Sequence, residues 1–363
     1  MIGRFPPGGT ECSVCGEAGF LMKSLTCSPS DRDCLYLQRY YAIIFKIWNK
    51  TGSNGEEPSD LLKFEEKVNA MFVLYVILLA VIQGILEFLP VSSFGHLCVI
   101  QELLGMERGP GVLLEVMLHF GTLAAVILTF RKDIIHLAAD TLEMIFDIVG
   151  NISLYIHNRR SGEDLHYAKI ISTTYRKFAV LLLVSMIPTI AIGFTARRLV
   201  ALAAASRLIP GAGILITGVL LLVVDLSGQG GNKAARDAHY GNAMWIGICQ
   251  GLAVFPGLSR SGLTISAGLF GGFSRTFAVK YSYILSIPAI VGALIVELGE
   301  FGSPEMTVGM GFTYVLGMII SAVVGYFVIR FLLKLVQKGK LRYFAFYCFL
   351  AGFLSLLAGY LTV

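Results

Sequence analysis

The sequence predicts an all-α polytopic membrane protein, an inverted repeat of one broken re-entrant hairpin plus three transmembrane helices, with six full spans in all. Three observations predict it. Hydrophobic residues fill 55% of the 363 positions and charged residues 15%, which is more apolar surface than a soluble fold can bury. Six segments carry few or no charges, namely 112–130, 178–196, 208–225, 278–296, 312–331 and 343–361. Each is long enough, at 1.5 Å per residue, to cross roughly 30 Å of hydrocarbon. The third observation is repetition at an offset of 167 residues. Gln83-Gly-Ile-Leu-Glu-Phe-Leu-Pro-Val-Ser-Ser-Phe-Gly-His96 lies over Gln250-Gly-Leu-Ala-Val-Phe-Pro-Gly-Leu-Ser-Arg-Ser-Gly-Leu263 with five identities in fourteen positions.

In chain order, residues 1–70 read as a polar N-terminal extension without the pattern of a signal peptide. Residues 71–363 read as the membrane domain, with repeat halves at about 71–225 and 243–363. Cys12, Cys15, Cys27 and Cys34 follow C-x2-C-x11-C-x6-C. The second pair is too widely spaced for a zinc knuckle. Cys98, Cys249 and Cys348 lie singly in apolar sequence and read as small core residues. Tyr36–Trp48 is apolar and aromatic enough for a short interfacial helix. Each copy of the repeat is a broken hairpin followed by three spans. Three is odd, so the two halves cross the bilayer in opposite directions, as in many transporters.

Loop charge sets the orientation. Residues 131–177, read as a loop, carry seven Lys/Arg, and residues 332–342 carry four, while 297–309 carry none and three Glu. The first two loops are therefore cytoplasmic. Arg197, Arg198 and Arg207, expected in an outer loop, run against this trend. The net charge of +5 sits mainly in loops and marks orientation, with no nucleic-acid partner implied.

The chemistry concentrates where the apolar runs break, at Pro90 and at Pro256-Gly257. Broken backbone survives in lipid only where protein or a water-filled cavity surrounds it. Beyond the first break, a helix starting near Ser92 stacks His96 one turn past Ser92 and Ser93. Beyond the second, Ser259, Arg260, Ser261 and Thr264 occupy the opening turn of another half-helix, where unpaired N–H groups favour phosphate oxygens. Gln83 and Glu87, four apart, share a helical face. A charge at the bilayer centre costs roughly 2.5–3.5 kcal/mol, so Glu87 and Arg260 are expected to face a common polar cavity. Gln83 and Glu87 suit a divalent cation on a diphosphate, Arg260 suits phosphate oxygens, and His96 suits proton transfer. Against these stand plainer readings: an Arg260–Glu87 structural ion pair, a packing role for His96 and His119, and back-bonding hydroxyls at Thr217 and Ser266.

Together the two runs resemble the signatures of bacterial undecaprenyl-diphosphate phosphatases, the bacitracin-resistance family, over about residues 71–363. The resemblance implies hydrolysis of undecaprenyl diphosphate to the monophosphate, which recycles the lipid carrier for cell-wall synthesis. It also implies a multi-pass protein of the plasma membrane, a site open to the outer face, and a divalent cation, Mg2+ or Ca2+. By position, Glu87, Ser93, His96 and Arg260 would be catalytic. Ser92, Ser259, Ser261 and Thr264 would bind substrate, and Gln83 with Glu87 would hold the metal. Phe94 stands where many members have a small or hydroxyl residue, and Gln83 replaces the commoner Glu. The extension lies outside the family pattern, which favours Met71 as the working start. The rival reading is a lipid-phosphate transporter or flippase, since broken helices in inverted repeats also suit transport. The nucleophile, Ser93 or a water, stays open, as does the oligomeric state, with a homodimer among the alternatives.

Overall fold

The computed structural model describes residues 58–93, 95–96, 112–206, 208–228, 230–299 and 308–361. The four N-terminal cysteines, Cys98, the 36–48 segment and Phe94 lie outside these. Ala70–Gly299 with Thr307–Val363 form one compact unit, and the architecture below is that unit's.

Ten helices are described: α1 Pro58–Leu86, α2 Val112–Thr129, α3 Arg131–Ser161, α4 Thr174–Ala205, α5 Ile209–Leu226, α6 Tyr240–Leu252, α7 Arg260–Phe270, α8 Arg275–Gly299, α9 Val308–Gln337 and α10 Arg342–Leu361. No strand occurs among the described residues; the one ladder contact is an isolated bridge between Lys233 and Phe273. Five helices are long and apolar enough to cross a membrane, and α2 with α3 makes a sixth if that pair, bent by 85°, is one broken span. All six expected spans therefore fall on helices.

Two expected loops are helical. Residues 131–161 form α3, and α4 runs on to Ala205, so Arg197 and Arg198 sit on its last turns. In α3 the cause is amphipathic sequence, whose scattered charges lower mean hydropathy without interrupting helical periodicity; in α4 the Arg197-Arg198 pair interrupts the apolar run, while the Leu- and Ala-rich residues that follow keep the helix going.

Side chains at the helix contacts are small. Ser321 on α9 donates from Oγ to the Leu118 carbonyl at 3.1 Å, and a side chain at Gly121 would collide with the Met318 backbone, so α9 lies tight against α2. Gly218 likewise brings α5 against Ala345 and Cys348 of α10, and Gly247 and Gly251 bring α6 against Ser185, Pro188 and Ile192 of α4. On the other side Gly84 of α1 meets Ser321 and Val324 of α9. Lipid supplies no hydrophobic drive between helices, so close backbone approach and interhelical hydrogen bonds carry the packing. Large apolar side chains such as Phe194, Phe312 and Phe353 point outward, as a lipid-facing perimeter requires.

Both hairpins break where expected. α1 ends at Leu86 and α6 at Leu252, and turn residues follow at 87–91 and 253–257. A short helical turn then resumes at Ser93, and α7 resumes at Arg260.

Candidate functional site

Both helical restarts are capped by a serine side chain, from an extended backbone at Ser259 and a left-handed one at Ser92. Ser259 Oγ accepts the Gly262 N–H at 3.1 Å, and Ser92 Oγ accepts the Gly95 N–H at 3.3 Å. Serine at an N-cap satisfies a donor that the first helical turn leaves orphaned. The two caps are 167 residues apart, the offset of the sequence repeat. Gly95 packs 3.2 Å from the Gly257 Cα, measured to the Cβ that a larger residue would carry. The tips of the two breaks therefore touch.

That contact lets Glu87 meet groups from both hairpins. Its Oε2 accepts from Gln83 Nε2 at 3.0 Å and from Ser93 Oγ at 3.0 Å. Its Oε1 accepts from Arg260 Nη2 at 2.9 Å. Glu87 is buried and the Arg260 side chain only 19% exposed, so solvent screens this ion pair little. Three donors converge on one carboxylate, as a buried charge demands.

Among the described residues, Gln83 Oε1 and Arg260 Nη1, on the two side chains that bond this carboxylate, have no partner, and neither does His96 Nε2 on the turn after Ser92. His96 Nδ1 donates to the Ser92 carbonyl at 2.7 Å, and the ring stacks on Tyr347 at 5.5 Å and 10°. The neutral ring therefore keeps its lone pair at Nε2. Buried polar groups are nearly always paired, so the Gln83 and Arg260 orphans beside Glu87 mark where a polar ligand belongs.

The other expected residues do different work. Ser261 Oγ donates to the Leu89 carbonyl at 3.0 Å, and Ser259 Oγ lies 3.2 Å from Ser261 Oγ. Thr264 Oγ1 donates back to the Arg260 carbonyl at 2.8 Å and pairs with Ser282 Oγ at 2.6 Å. Ser92, Ser259, Ser261 and Thr264 thus have internal partners, whereas Gln83, Ser93 and Arg260 each bond Glu87.

Sequence reasoning missed the groups that hold the first break open. Tyr283 OH donates to the Phe88 carbonyl at 2.8 Å, Ser261 to Leu89, and Cys348 Sγ approaches the Pro90 carbonyl at 3.8 Å. Three consecutive carbonyls freed by the break are thus each met by a side chain from the second half. Thr217 Oγ1 donates to the Gly213 carbonyl at 3.0 Å, the expected back-bond, and also accepts the Ser259 N–H at 3.1 Å. His119 lies within electrostatic reach of Glu87. No local pattern announces these roles, because each depends on a partner far away in sequence.

The chain is similar to curated relatives over most of their length. An undecaprenyl-diphosphatase of Desulfatibacillum aliphaticivorans is 40% identical over 291 residues, covering 80% of this chain and 100% of the relative. One from Desulforapulum autotrophicum is 37% identical over 288 residues, 79% and 98% of the two chains. One from Korarchaeum cryptofilum is 33% identical over 287 residues, 78% and 97%. Residues 76–354 match the family described as bacitracin resistance protein BacA. The chain belongs to that family.

Proposed function

We propose that the protein hydrolyses undecaprenyl diphosphate to the monophosphate and inorganic phosphate, recycling the lipid carrier for cell-wall synthesis and so conferring bacitracin resistance. The observation that carries the reading is the Glu87 carboxylate, bonded at once to Ser93 and to Arg260. A nucleophile candidate, its proton acceptor and a phosphate-binding cation are in direct contact. The relatives named undecaprenyl-diphosphatase support the substrate.

In the proposed reaction Arg260 holds Glu87 through Nη2 and offers Nη1 to the terminal phosphoryl oxygens. Ser93 Oγ attacks the terminal phosphorus and passes its proton to Glu87 as the bridging P–O bond breaks, which releases the lipid monophosphate. A water then attacks the phosphoserine and gives a proton to His96 Nε2. Ser93 leaves and recovers its proton from Glu87. Ser92, Ser259, Ser261 and Thr264 shape the cradle through the bonds described above.

Among the described residues no group of three or more His, Cys, Asp or Glu side chains could hold an ion, and both Glu87 oxygens already accept hydrogen bonds. The unpartnered Gln83 Oε1 fits a divalent ion that arrives on the diphosphate, with Glu87 beside it. Bound there, Mg2+ or Ca2+ would neutralise charge on the phosphoryl oxygens.

The reading places the site toward the outer face of the plasma membrane and residues 131–177 in the cytoplasm, supported by their seven Lys/Arg. It takes the two halves as an inverted repeat. The paired serine caps support that, as does the exchange in which α1 packs on α9 and α6 on α4.

Phosphate release by the purified protein in detergent tests the proposal. Glu87→Ala and Arg260→Ala are expected to abolish release, and an acid quench before the first turnover is complete is expected to trap phosphate on Ser93. A wild-type protein that binds lipid diphosphate and releases nothing overturns hydrolysis in favour of transport.

A further inference from the structure

α3 leaves a stripe of large apolar side chains bare. Ile135, Leu142, Phe146, Val149, Ile152 and Ile156 follow helical spacing along one side, and all are exposed. The face that protein covers carries the acids and asparagines, together with the buried Met144 and the partly buried Ile134 and Leu137. Arg176, at the start of α4, bonds Asp147 at 2.5 Å and Glu143 at 3.2 Å, and Thr173 donates to Asp140. Tyr175 donates to Asp133 at 3.0 Å, and Lys280 of α8 reaches the same carboxylate at 2.9 Å.

The chain after α3 runs back along that polar face. Asn151 exchanges two hydrogen bonds with the backbone of Ala168, both 2.8 Å. One heptad on, Asn158 does the same with Leu165 at 3.0 and 3.2 Å. The polar side of α3 is therefore fastened while the apolar side is left bare.

Geometry says what covers the bare side. α3 turns 85° from α2 with only Phe130 between them. A helix nearly perpendicular to an apolar helix of spanning length lies along the plane of the membrane. Its polar face is tied to the first turn of α4 and to Lys280 near the start of α8, both of them spanning helices. That places α3 at the level where spans emerge from hydrocarbon. Arg131 and Lys132 stand at one end, Arg159 and Arg160 at the other, and all four are exposed. Cations flanking an apolar stripe match anionic headgroups above acyl chains.

We propose that α3 is an interfacial helix whose apolar stripe sinks into the headgroup–acyl boundary of an anionic lipid surface, with the four basic residues on headgroup phosphates. It is a lipid-binding surface separate from the Glu87 site and independent of the hydrolysis proposed above.

The test places a tryptophan reporter at Phe146, an exposed position, in the full chain with Trp48 and Trp245 replaced by Phe. The protein is reconstituted in mixed phosphatidylcholine–phosphatidylglycerol vesicles. Phe146→Trp emission is expected to be quenched by lipids brominated near the headgroup end of the acyl chain and protected from aqueous iodide. A control tryptophan at Glu163 is expected to show the reverse. Brominated phosphatidylglycerol is expected to quench roughly two-fold more than brominated phosphatidylcholine, and R131Q/K132Q/R159Q/R160Q is expected to remove that difference. Iodide quenching without bromolipid quenching at position 146 overturns the proposal. So does Val149→Cys cross-linking between two copies with no bromolipid quenching, which would assign the stripe to a second chain. Equal quenching by the two brominated lipids overturns the anionic assignment.

Discussion

Tyr283 sits on α8, its side chain fully buried, and its hydroxyl serves the Phe88 carbonyl across the interface between the halves. Tyr283→Phe keeps the ring packed edge-on against Phe88 at 5.5 Å but strands a carbonyl in a medium that cannot solvate it. A buried unpaired acceptor costs about 1–3 kcal/mol. Phe88 is the immediate neighbour of Glu87, so the displacement reaches the carboxylate. We expect kcat for phosphate release to fall about ten-fold with KM nearly unchanged, a split that steady-state kinetics on the purified variant would measure. Gln83→Glu should act in the opposite direction on metal demand. A second carboxylate beside Glu87 is expected to lower the Mg2+ concentration needed for half-maximal activity by roughly ten-fold, as read by titrating metal into chelator-treated protein. The meeting of Glu87 and Arg260 was legible in the sequence because charge at bilayer depth is too costly to be incidental. Thr217 was not, because a threonine hydroxyl on an apolar helix bonds its own backbone by default, and Tyr283 was not, because an aromatic ring in an apolar run reads as packing whether or not its hydroxyl serves a distant carbonyl.

At the scale of elements, the second break depends on backbone contact. Gly257 has φ of 88°, a left-handed conformation that L side chains resist, and a side chain there would strike the Pro210 carbonyl of α5. Gly257→Ala is therefore expected to lower the thermal midpoint in detergent more than Ser259→Ala, whose lost cap costs about 1 kcal/mol. Differential scanning fluorimetry of the two variants would order them, and the reverse order would mean that α5 yields to the break. The breaks themselves were readable from proline and glycine interrupting apolar runs, and so were the six apolar helices. α3 was not read as a helix. Its acids at 133, 140 and 147 and its asparagines at 151 and 158 are seven-spaced, on the helical side opposite the apolar stripe, and averaged over a window the two sides cancel into the hydropathy of a loop.

For the whole molecule, Glu87 and Arg260 couple two halves whose matching positions lie 167 residues apart. Removing either partner leaves an uncompensated buried charge, which costs on the order of 3–5 kcal/mol when a buried pair is broken. We expect Glu87→Ala and Arg260→Ala each to destabilise the protein, and the double variant to be more stable than the sum of the two predicts. All three should be inactive. A double-mutant cycle on denaturation midpoints measures this coupling, and strict additivity would mean that the two halves stand independently of the pair.

Ser92, by contrast with Gly257, holds φ of 70° without being glycine, and it does so at the cap that starts the turn carrying Ser93 and His96. Such a conformation costs an L-residue roughly 1–2 kcal/mol, which a glycine at 92 would avoid while giving up the oxygen that holds the Gly95 amide. Directed evolution for heat resistance alone would drift toward glycine at this position, and one that also screens for turnover would keep returning to serine.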